Sequence, residues 1–279
     1  NADSRNPSVS SNGRYIAFQS RANNLVADDT NGQNDSSRGE DIFVHDRVSH
    51  TTERVSLLDG GAEGNSNGAS ETPSISGDGR YVAFESMASG LVSDDTNAEQ
   101  DVFVRDMLTG ETRRVSVASD GTPADKAAAS PCVSGNGQFV VFSSAATNLV
   151  AGDTNAGADI FLHDLSTAAT VRVSVAPDGT QANGASSYPA VNADGTAVAF
   201  LSKARNLVPD SLPSTSNLFV LDRNTGTLQA KPMGTDGFYL NLPGATPRLS
   251  ADGRYVAFIS QVLNQPTGAG PYIYVQHWD

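Results

Sequence analysis

The chain has 279 residues and a formal net charge of −13, from 31 acidic and 18 basic side chains. Nucleic-acid binding requires clustered lysine and arginine, so this charge argues against a nucleic-acid partner and is compatible with cation binding. Charged residues make up only 18% of the chain while valine, isoleucine, leucine and phenylalanine recur in short regular clusters, which excludes disorder and is typical of a turn-rich all-β protein.

Cysteine content and hydropathy restrict the cellular context. Cys132 is the single cysteine, so no internal disulfide forms, as in cytosolic proteins and many exported bacterial ones. No apolar run approaches the roughly 18 residues of a membrane-spanning helix. We therefore expect no membrane span.

Five segments of similar sequence divide the chain. The repeats begin near residues 7, 73, 131, 189 and 247, and each starts with a proline followed by a short apolar stretch. Each repeat then has an N-G or D-G pair, which is a strong hairpin signal. Self-similarity at this period is typical of repeat architectures.

Within a repeat the pattern predicts four short strands, which we call A to D. Strand A is P-x-[VIL] followed by serine or asparagine, and strand B is an alternating stretch such as RYVAF. Strand C has the form DIFVHD or DVFVRD, and strand D has the form RRVSV. No stretch of ten or more residues has helical periodicity.

A repeated four-stranded antiparallel unit predicts a β-propeller, because each small sheet is apolar on both faces and is stable only between neighbouring sheets. We expect an all-β, five-bladed β-propeller of four-stranded antiparallel blades, forming a single domain over residues 1–279. The expected inner core positions are Val9, Ile75, Val133, Val191 and Leu249. The residues expected to pack between blades are Phe18, Phe84, Phe142, Phe200 and Phe258.

The last repeat supplies strand C, YIYVQH, but no strand D. The last blade is therefore expected to have three strands. Its bare edge, between Tyr272 and Val275, would be available for pairing with a partner.

The segment PSISGDGRYVAFES followed by DVFVRD resembles the TolB-type, WD40-like propeller repeat of exported bacterial proteins. The resemblance covers nearly the whole chain. It implies a propeller fold and a secreted, periplasmic or cell-surface location in a bacterium. The chain departs from the family in having five repeats, since TolB-type propellers usually have six or more blades. The family includes scaffolds, partner-binding modules and propellers attached to enzymes, so the resemblance does not determine function.

The loops between strands B and C carry aspartate and asparagine at alternate positions in the first three repeats. The candidate ligands are Asp29, Asn31, Asp35 and Asp41 in the first repeat, Asp95, Asn97 and Asp101 in the second, and Asp153, Asn155 and Asp159 in the third. Ca²⁺ takes six to eight oxygen ligands, which such loops could supply in a structural rather than catalytic site. The alternative is that these side chains form Asx turns that cap the loop backbone.

Strand alternation puts the B–C loops and the D–A loops on the same face of the propeller. These are the longest and most variable loops, and function usually lies on such loops over a rigid scaffold. We therefore expect a protein or glycan ligand to bind on the B–C/D–A loop face.

The sequence has few candidates for catalysis. The G-x-S-x-G match at 64–68 lies in a glycine-rich loop without the strand and helix of a nucleophile elbow. Strand A, counted from each proline, contributes no carboxylate to the axis, which argues against a glycosidase. We expect a non-catalytic ligand-binding, protein-binding or scaffold propeller of an exported bacterial protein, with Ca²⁺ as a structural ion. The alternative is an extracellular glycan-active hydrolase or a lectin.

Overall fold

The computed structural model describes residues 1–27, 29, 39–58, 68–155, 157–209, 216–231, 246–260 and 272–278. In these ranges the secondary structure consists of strands and turns, with no helix. The strands form five antiparallel sheets in which spatial order follows chain order. The prediction of an all-β, five-bladed β-propeller is confirmed.

The first blade contains β1 (Ser4–Val9), β2 (Tyr15–Ser20), β3 (Asp41–Asp46) and β4 (Thr51–Arg54). The second contains β5 (Ser70–Ile75), β6 (Tyr81–Ser86), β7 (Asp101–Asp106) and β8 (Glu111–Arg114). The third contains β9 (Ala128–Val133), β10 (Phe139–Ser144), β11 (Asp159–Asp164) and β12 (Thr170–Arg172). The fourth contains β13 (Ser186–Val191), β14 (Ala197–Ser202), β15 (Asn217–Asp222) and β16 (Thr227–Lys231). The fifth contains β17 (Arg248–Leu249), β18 (Tyr255–Ser260) and β19 (Tyr272–His277), so three strands are described there.

The turn between strands A and B explains the repeated S-x-D-G sequence. In blade two, Asp78 Oδ1 accepts hydrogen bonds from Ser76 Oγ at 2.6 Å and from the Arg80 N–H at 2.9 Å. Gly79 follows with φ of 82°, a left-handed conformation that glycine adopts without steric cost. The turn thus fixes the register of the A–B hairpin.

Consecutive blades pack face to face. We call the side of a blade that faces the next blade its forward face: the first, third and fifth residues of strand B and the second and fourth of strand C. The opposite side is its rear face: the last residue of strand A, the second and fourth of strand B and the third of strand C. Between blades two and three, forward residues Val102 and Val104 pack with rear residues Val140 and Phe142. Burying a side chain as large as Phe142 contributes about 3 kcal/mol.

Most of the predicted core positions are confirmed. Phe84, Phe142, Phe200 and Phe258 are buried, and so are Ile75, Val133 and Val191. Leu249 and Phe18 are half-buried. The prediction for Val9 is wrong, because Val9 lies on the rear face of blade one and is 59% exposed.

Candidate functional site

In blade two, an arginine of strand D lies between the aspartates of the B–C loop. Arg114 Nη1 is 3.1 Å from Asp95 Oδ1 and 3.3 Å from Asp101 Oδ2. Ser116 Oγ donates a hydrogen bond to the other carboxylate oxygen of Asp101 at 2.5 Å. The Arg114 and Asp101 side chains are only 3% and 0% exposed, so the guanidinium and the carboxylate neutralise each other away from water.

Blades one and three repeat this arrangement. Arg54 Nη1 lies 3.3 Å from Asp29 Oδ1 and 3.8 Å from Asp41 Oδ2. Arg172 Nη1 lies 3.0 Å from Asp153 Oδ1 and 3.4 Å from Asp159 Oδ2. We call these three groups the Asp–Arg clusters, defined by Asp29, Asp41 and Arg54, by Asp95, Asp101 and Arg114, and by Asp153, Asp159 and Arg172.

The predicted asparagines connect the clusters to the neighbouring D–A loops. Asn97 Nδ2 donates to Asp101 Oδ2 at 2.9 Å and to the Ala124 carbonyl at 3.0 Å. Asn97 Oδ1 accepts the Glu99 N–H at 3.1 Å, which closes an Asx turn. Asn155 makes the equivalent bonds in blade three. The two loops therefore adopt the turn-capping geometry that was the alternative to a metal site.

Asn31 and Asp35 lie outside the described residues. Asp41, the first residue of β3, occupies the position of Asp101 and Asp159, which are the first residues of β7 and β11. The structural counterpart of Asp101 in blade one is therefore Asp41 and not Asp35.

The Asp–Arg clusters retain excess negative charge. Burial, with the neighbouring Asp101 charge, raises the pKa of Asp95, and burial raises the pKa of Asp159. Within the described ranges, no three histidine, cysteine or acidic side chains are grouped as metal ligands would be. Ca²⁺ binding by these loops stays a prediction.

Sequence reasoning missed Arg54, Arg114 and Arg172, although a signal was present. The arginine occurs in strand D of the three repeats that carry the D-T-N loop. In blade four, Ala230 takes the position opposite Phe219 that Arg114 takes opposite Phe103, and the D-T-N sequence is lost as well. Comparing the repeats with one another would have identified the partners.

A second polar region surrounds the propeller axis. A cavity of about 600 Å³ lies where the first residues of the five A strands converge, on the side of the B–C and D–A loops. Its lining includes the residue–proline pairs of the first four blades, Glu85 from strand B of blade two, and Thr246 and Arg248 from blade five. We call this space the axial cavity.

The residue before each of these prolines has a left-handed backbone. The φ angles are 51° at Asn6, 54° at Thr72, 56° at Ser130 and 52° at Tyr188. In each blade the register between strands A and B shifts at this point. A non-glycine residue in this conformation costs about 1–2 kcal/mol, and such strain concentrates at binding sites.

Side chains from the preceding blade bind the N–H groups that these bulges expose. Glu85 Oε2 accepts the Ser130 N–H at 2.6 Å, and its Oε1 accepts the Thr72 hydroxyl at 3.0 Å. Gln19, at the same position in blade one, accepts the Thr72 N–H at 3.0 Å. Glu85 is 9% exposed, and burial raises its pKa.

A pair of carboxyl groups extends this network. Glu40 Oε2 accepts a hydrogen bond from Gln19 Nε2 at 3.1 Å, and its Oε1 lies 2.7 Å from Arg21 Nε and 2.9 Å from an Arg5 Nη. A hydrogen bond with Glu40, together with burial and the nearby acidic charges, raises the pKa of Glu71 to about 7. The axial region thus holds a group that titrates near neutral pH.

The expectation that strand A contributes no carboxylate is wrong. It counted each strand from its proline, whereas β5 begins at Ser70 and includes Glu71. The bulge before Pro73 lets the strand resume its pairing with β6 further upstream. Because Glu71 lies on the axial strand of blade two and the buried carboxylate of Glu85 lines the cavity, the sequence-based argument against a glycosidase does not hold.

The strand-C histidine position serves packing. His163 Nδ1 donates to Thr170 Oγ1 at 2.9 Å, and Thr170 Oγ1 donates to the Val117 carbonyl of blade two at 2.5 Å. Burial lowers the pKa of His163 to about 4, which keeps the imidazole neutral. Arg105 donates to Thr112 in the same way in blade two, which explains why both residue types occur here.

No family model matches the chain, and no curated protein matches it either. No helix in the described part of the chain is long and apolar enough to cross a membrane. Solved structures with a similar fold include TolB from Acinetobacter baumannii, with a TM-score of 0.57, 17% identity and coverage of 99% of this chain. The chain spans 52% of the length of that TolB.

A putative TolB from Agrobacterium tumefaciens has a TM-score of 0.54 and 13% identity, over 99% of this chain and 77% of its own. An oligogalacturonate lyase in complex with manganese has a TM-score of 0.55 and 12% identity, over 99% of this chain and 62% of its own. At these identities the similarity concerns the fold. The chain therefore has the β-propeller fold of the TolB structures, as the resemblance of its repeats implies.

Proposed function

We propose that the chain is a non-catalytic binding propeller of an exported bacterial protein, and that its ligand enters the axial cavity from the B–C/D–A loop face. The observation that carries this proposal is Glu85, a buried carboxylate that lines the cavity beside strained backbone. The volume, about 600 Å³, falls within the roughly 300–1,000 Å³ typical of ligand pockets. The exported location rests on the resemblance to TolB-type repeats.

The chemistry of the cavity favours a cationic group. Glu85 lines it, and the Glu40–Glu71 pair lies in the same network. The net charge of −13 would steer a basic partner towards the molecule. A lysine or arginine side chain on an extended segment of a partner protein satisfies these requirements.

Fluorescence anisotropy tests this function with a labelled peptide of alternating arginine and glycine, and with a glutamate–glycine peptide as the charge control. Wild type should bind the arginine peptide, and Glu85→Gln should bind it at least about tenfold more weakly, because a charged hydrogen bond is lost. Glutamine fits because Gln19 occupies the equivalent position in blade one.

Asp78→Asn is the matched control, since Asn136 takes the same turn position in blade three. It removes a carboxylate from the A–B turn and should leave binding unchanged. Equal affinities of wild type and Glu85→Gln, or equal binding of the two peptides, would contradict the proposal.

A glycan-active hydrolase is the second candidate, and Glu71 favours it. A carboxyl group with a pKa of about 7, influenced by the charge of Glu85, is suited to act as a general acid. A panel of chromogenic glycosides tests this activity. Turnover by wild type that is lost in Glu71→Gln would support a hydrolase, and no turnover by wild type would favour the binding function.

Two further proposals concern structure rather than ligand choice. We keep structural Ca²⁺ at the Asp–Arg clusters, supported by their excess negative charge and oxygen-rich loops. We also keep pairing of a partner strand with the edge between Tyr272 and Val275, supported by the absence of a second partner for β19 among the described strands.

A further inference from the structure

The described blades form four filled interfaces, one between each consecutive pair. Backbone hydrogen bonds join the A–B turns across them, from the Ser11 N–H to the Gly77 carbonyl and from the Gly77 N–H to the Gly135 carbonyl. The Asn136 and Ala193 N–H groups continue the series to blade five. Among the described strands, those of blade five make no comparable contact with those of blade one.

The forward face of blade five is apolar and open. Ile273 and Val275 are 77% and 64% exposed, whereas their counterparts Ile160 and Leu162 in blade three are 0% and 2% exposed. Ile259 and Tyr255 of strand B extend the same exposed surface. The residue types are those of the filled interfaces, but no blade covers them in the described part of the chain.

The rear face of blade one is the complementary half. Val9 is 59% exposed, whereas its counterpart Val133 is 5% exposed. Ile16 and Phe18 are half-buried, although Val140 and Phe142 at the same positions are fully buried. Both halves of a fifth interface are therefore present and separated from each other.

A contact between an aromatic ring and a turn glycine shows the same separation. The Tyr81 ring lies so close to Gly137 of the next blade that a Cβ there would collide with it, and Phe139 lies in the same way against Gly195. Tyr255 is the equivalent aromatic of blade five and is 46% exposed. Gly13 is the equivalent glycine of blade one, and the nearest atom to a Cβ placed there belongs to the Arg47 side chain.

We propose that one further blade of the same repeat, carried by a partner protein, docks between blade five and blade one. Its rear face would cover Ile273 and Val275, and its forward face would cover Val9 and Phe18. Its turn glycine would lie under Tyr255, and its aromatic residue would pack on Gly13. The argument is continuity, because both open faces have the residues of an interface that the chain forms four times. This inference is independent of the proposed ligand in the axial cavity.

The experiment presents a blade at high effective concentration. Residues 123–180, the third repeat, are fused after Asp279 through a flexible glycine–serine linker, which makes docking intramolecular. The fusion should melt at least about 5 °C above the unfused chain and should bind less of the dye ANS, because apolar surface is buried.

Ile273→Asp provides the matched control. The substitution should leave the melting temperature of the unfused chain unchanged, since Ile273 is exposed, and should abolish the gain in the fusion. An unchanged melting temperature on fusion would overturn the proposal. A large loss on Ile273→Asp in a monomeric unfused chain would also overturn it, because blade five would then close directly on blade one. A dimer that Ile273→Asp dissociates, detected by light scattering, would replace the partner blade with a second copy.

Discussion

At the scale of the residue, the turn glycines have two separate roles. Each has a positive φ, and those at Gly79, Gly137 and Gly195 also leave room for an aromatic ring of the preceding blade. The N-G and D-G pairs predicted the turns from sequence. The packing role was not predicted, because the distance between a glycine and a ring in another repeat depends on how blades stack.

Substituting two glycines with the same φ separates these roles. Gly137 and Gly226 both have φ of 71°, but a Cβ at Gly226 meets nothing within 4 Å. Gly226→Ala should cost about 1 kcal/mol from the backbone alone, and Gly137→Ala about 3 kcal/mol because the Tyr81 ring must also move. Urea denaturation measures both free energies of unfolding. Equal losses would show that the ring contact contributes nothing.

The Glu71 carboxyl group should make stability depend on pH. Its folded pKa of about 7 lies above the ordinary 4.5, so the folded chain keeps a proton that the unfolded chain loses between these values. Stability from this group is therefore present at low pH and is lost as pH rises to about 7.

The measurement compares the melting temperatures of wild type and Glu71→Gln at pH 5 and pH 7.5. The advantage of wild type over the variant should fall as pH rises. The low pKa of His163 acts in the opposite direction, but it is shared by both proteins and cancels in the difference. A difference that is flat with pH, as expected for the exposed control Glu111→Gln, would refute the assignment.

At the scale of the element, the Asp–Arg clusters connect the B–C loop to strand D. Arg114 is the residue through which blade two depends on this contact, since its guanidinium pairs with two buried carboxylates. Arg114→Gln should destabilise the chain by about 3–5 kcal/mol, because Asp95 and Asp101 would be left buried without a cation.

Arg113→Gln is the neighbouring control. The Arg113 side chain is 39% exposed and pairs with the exposed Glu111, so its loss should change stability by less than about 0.5 kcal/mol. Asp95→Asn should restore part of the loss in Arg114→Gln. Similar effects of Arg113→Gln and Arg114→Gln in chemical denaturation would contradict this account of the clusters.

Ca²⁺ remains to be tested at the same loops. The sequence predicts that millimolar Ca²⁺ raises the melting temperature above that in EDTA, because the ion would offset carboxylate repulsion. Mg²⁺ should do less, since it demands a more regular geometry. Identical melting curves in Ca²⁺ and EDTA would remove the prediction and leave Arg114 and its counterparts as the counter-ions of the loops.

The strands were more predictable than the contacts between them. Alternation and turn residues predicted strands A to D of each repeat, because these signals are local. The start of strand A was missed, since the bulge before Pro73 interrupts pairing and the strand continues upstream to Ser70. The partners of Asp95 and Glu85 were missed because they lie in another strand or another blade.

At the scale of the whole molecule, the repeat predicted five blades but not the unequal state of their faces. Sequence alone gives Val9 and Val133 the same role, yet only Val133 is covered by a preceding blade in the described structure. Burial in a repeat protein depends on neighbours. The end repeats therefore differ from the inner ones for a reason that no single repeat contains.

Hydroxyl-radical footprinting of the monomeric chain, read by mass spectrometry at single residues, tests most directly whether five blades stack through four filled interfaces. The account predicts rapid oxidation of Val9 and Ile273 and strong protection of Val133 and Ile160, their counterparts in blade three. Equal reactivity within each pair would contradict it. Val133 and Ile160 as reactive as the end positions would show that the blades do not stack, and Val9 and Ile273 as protected as the inner positions would show that the end faces are covered.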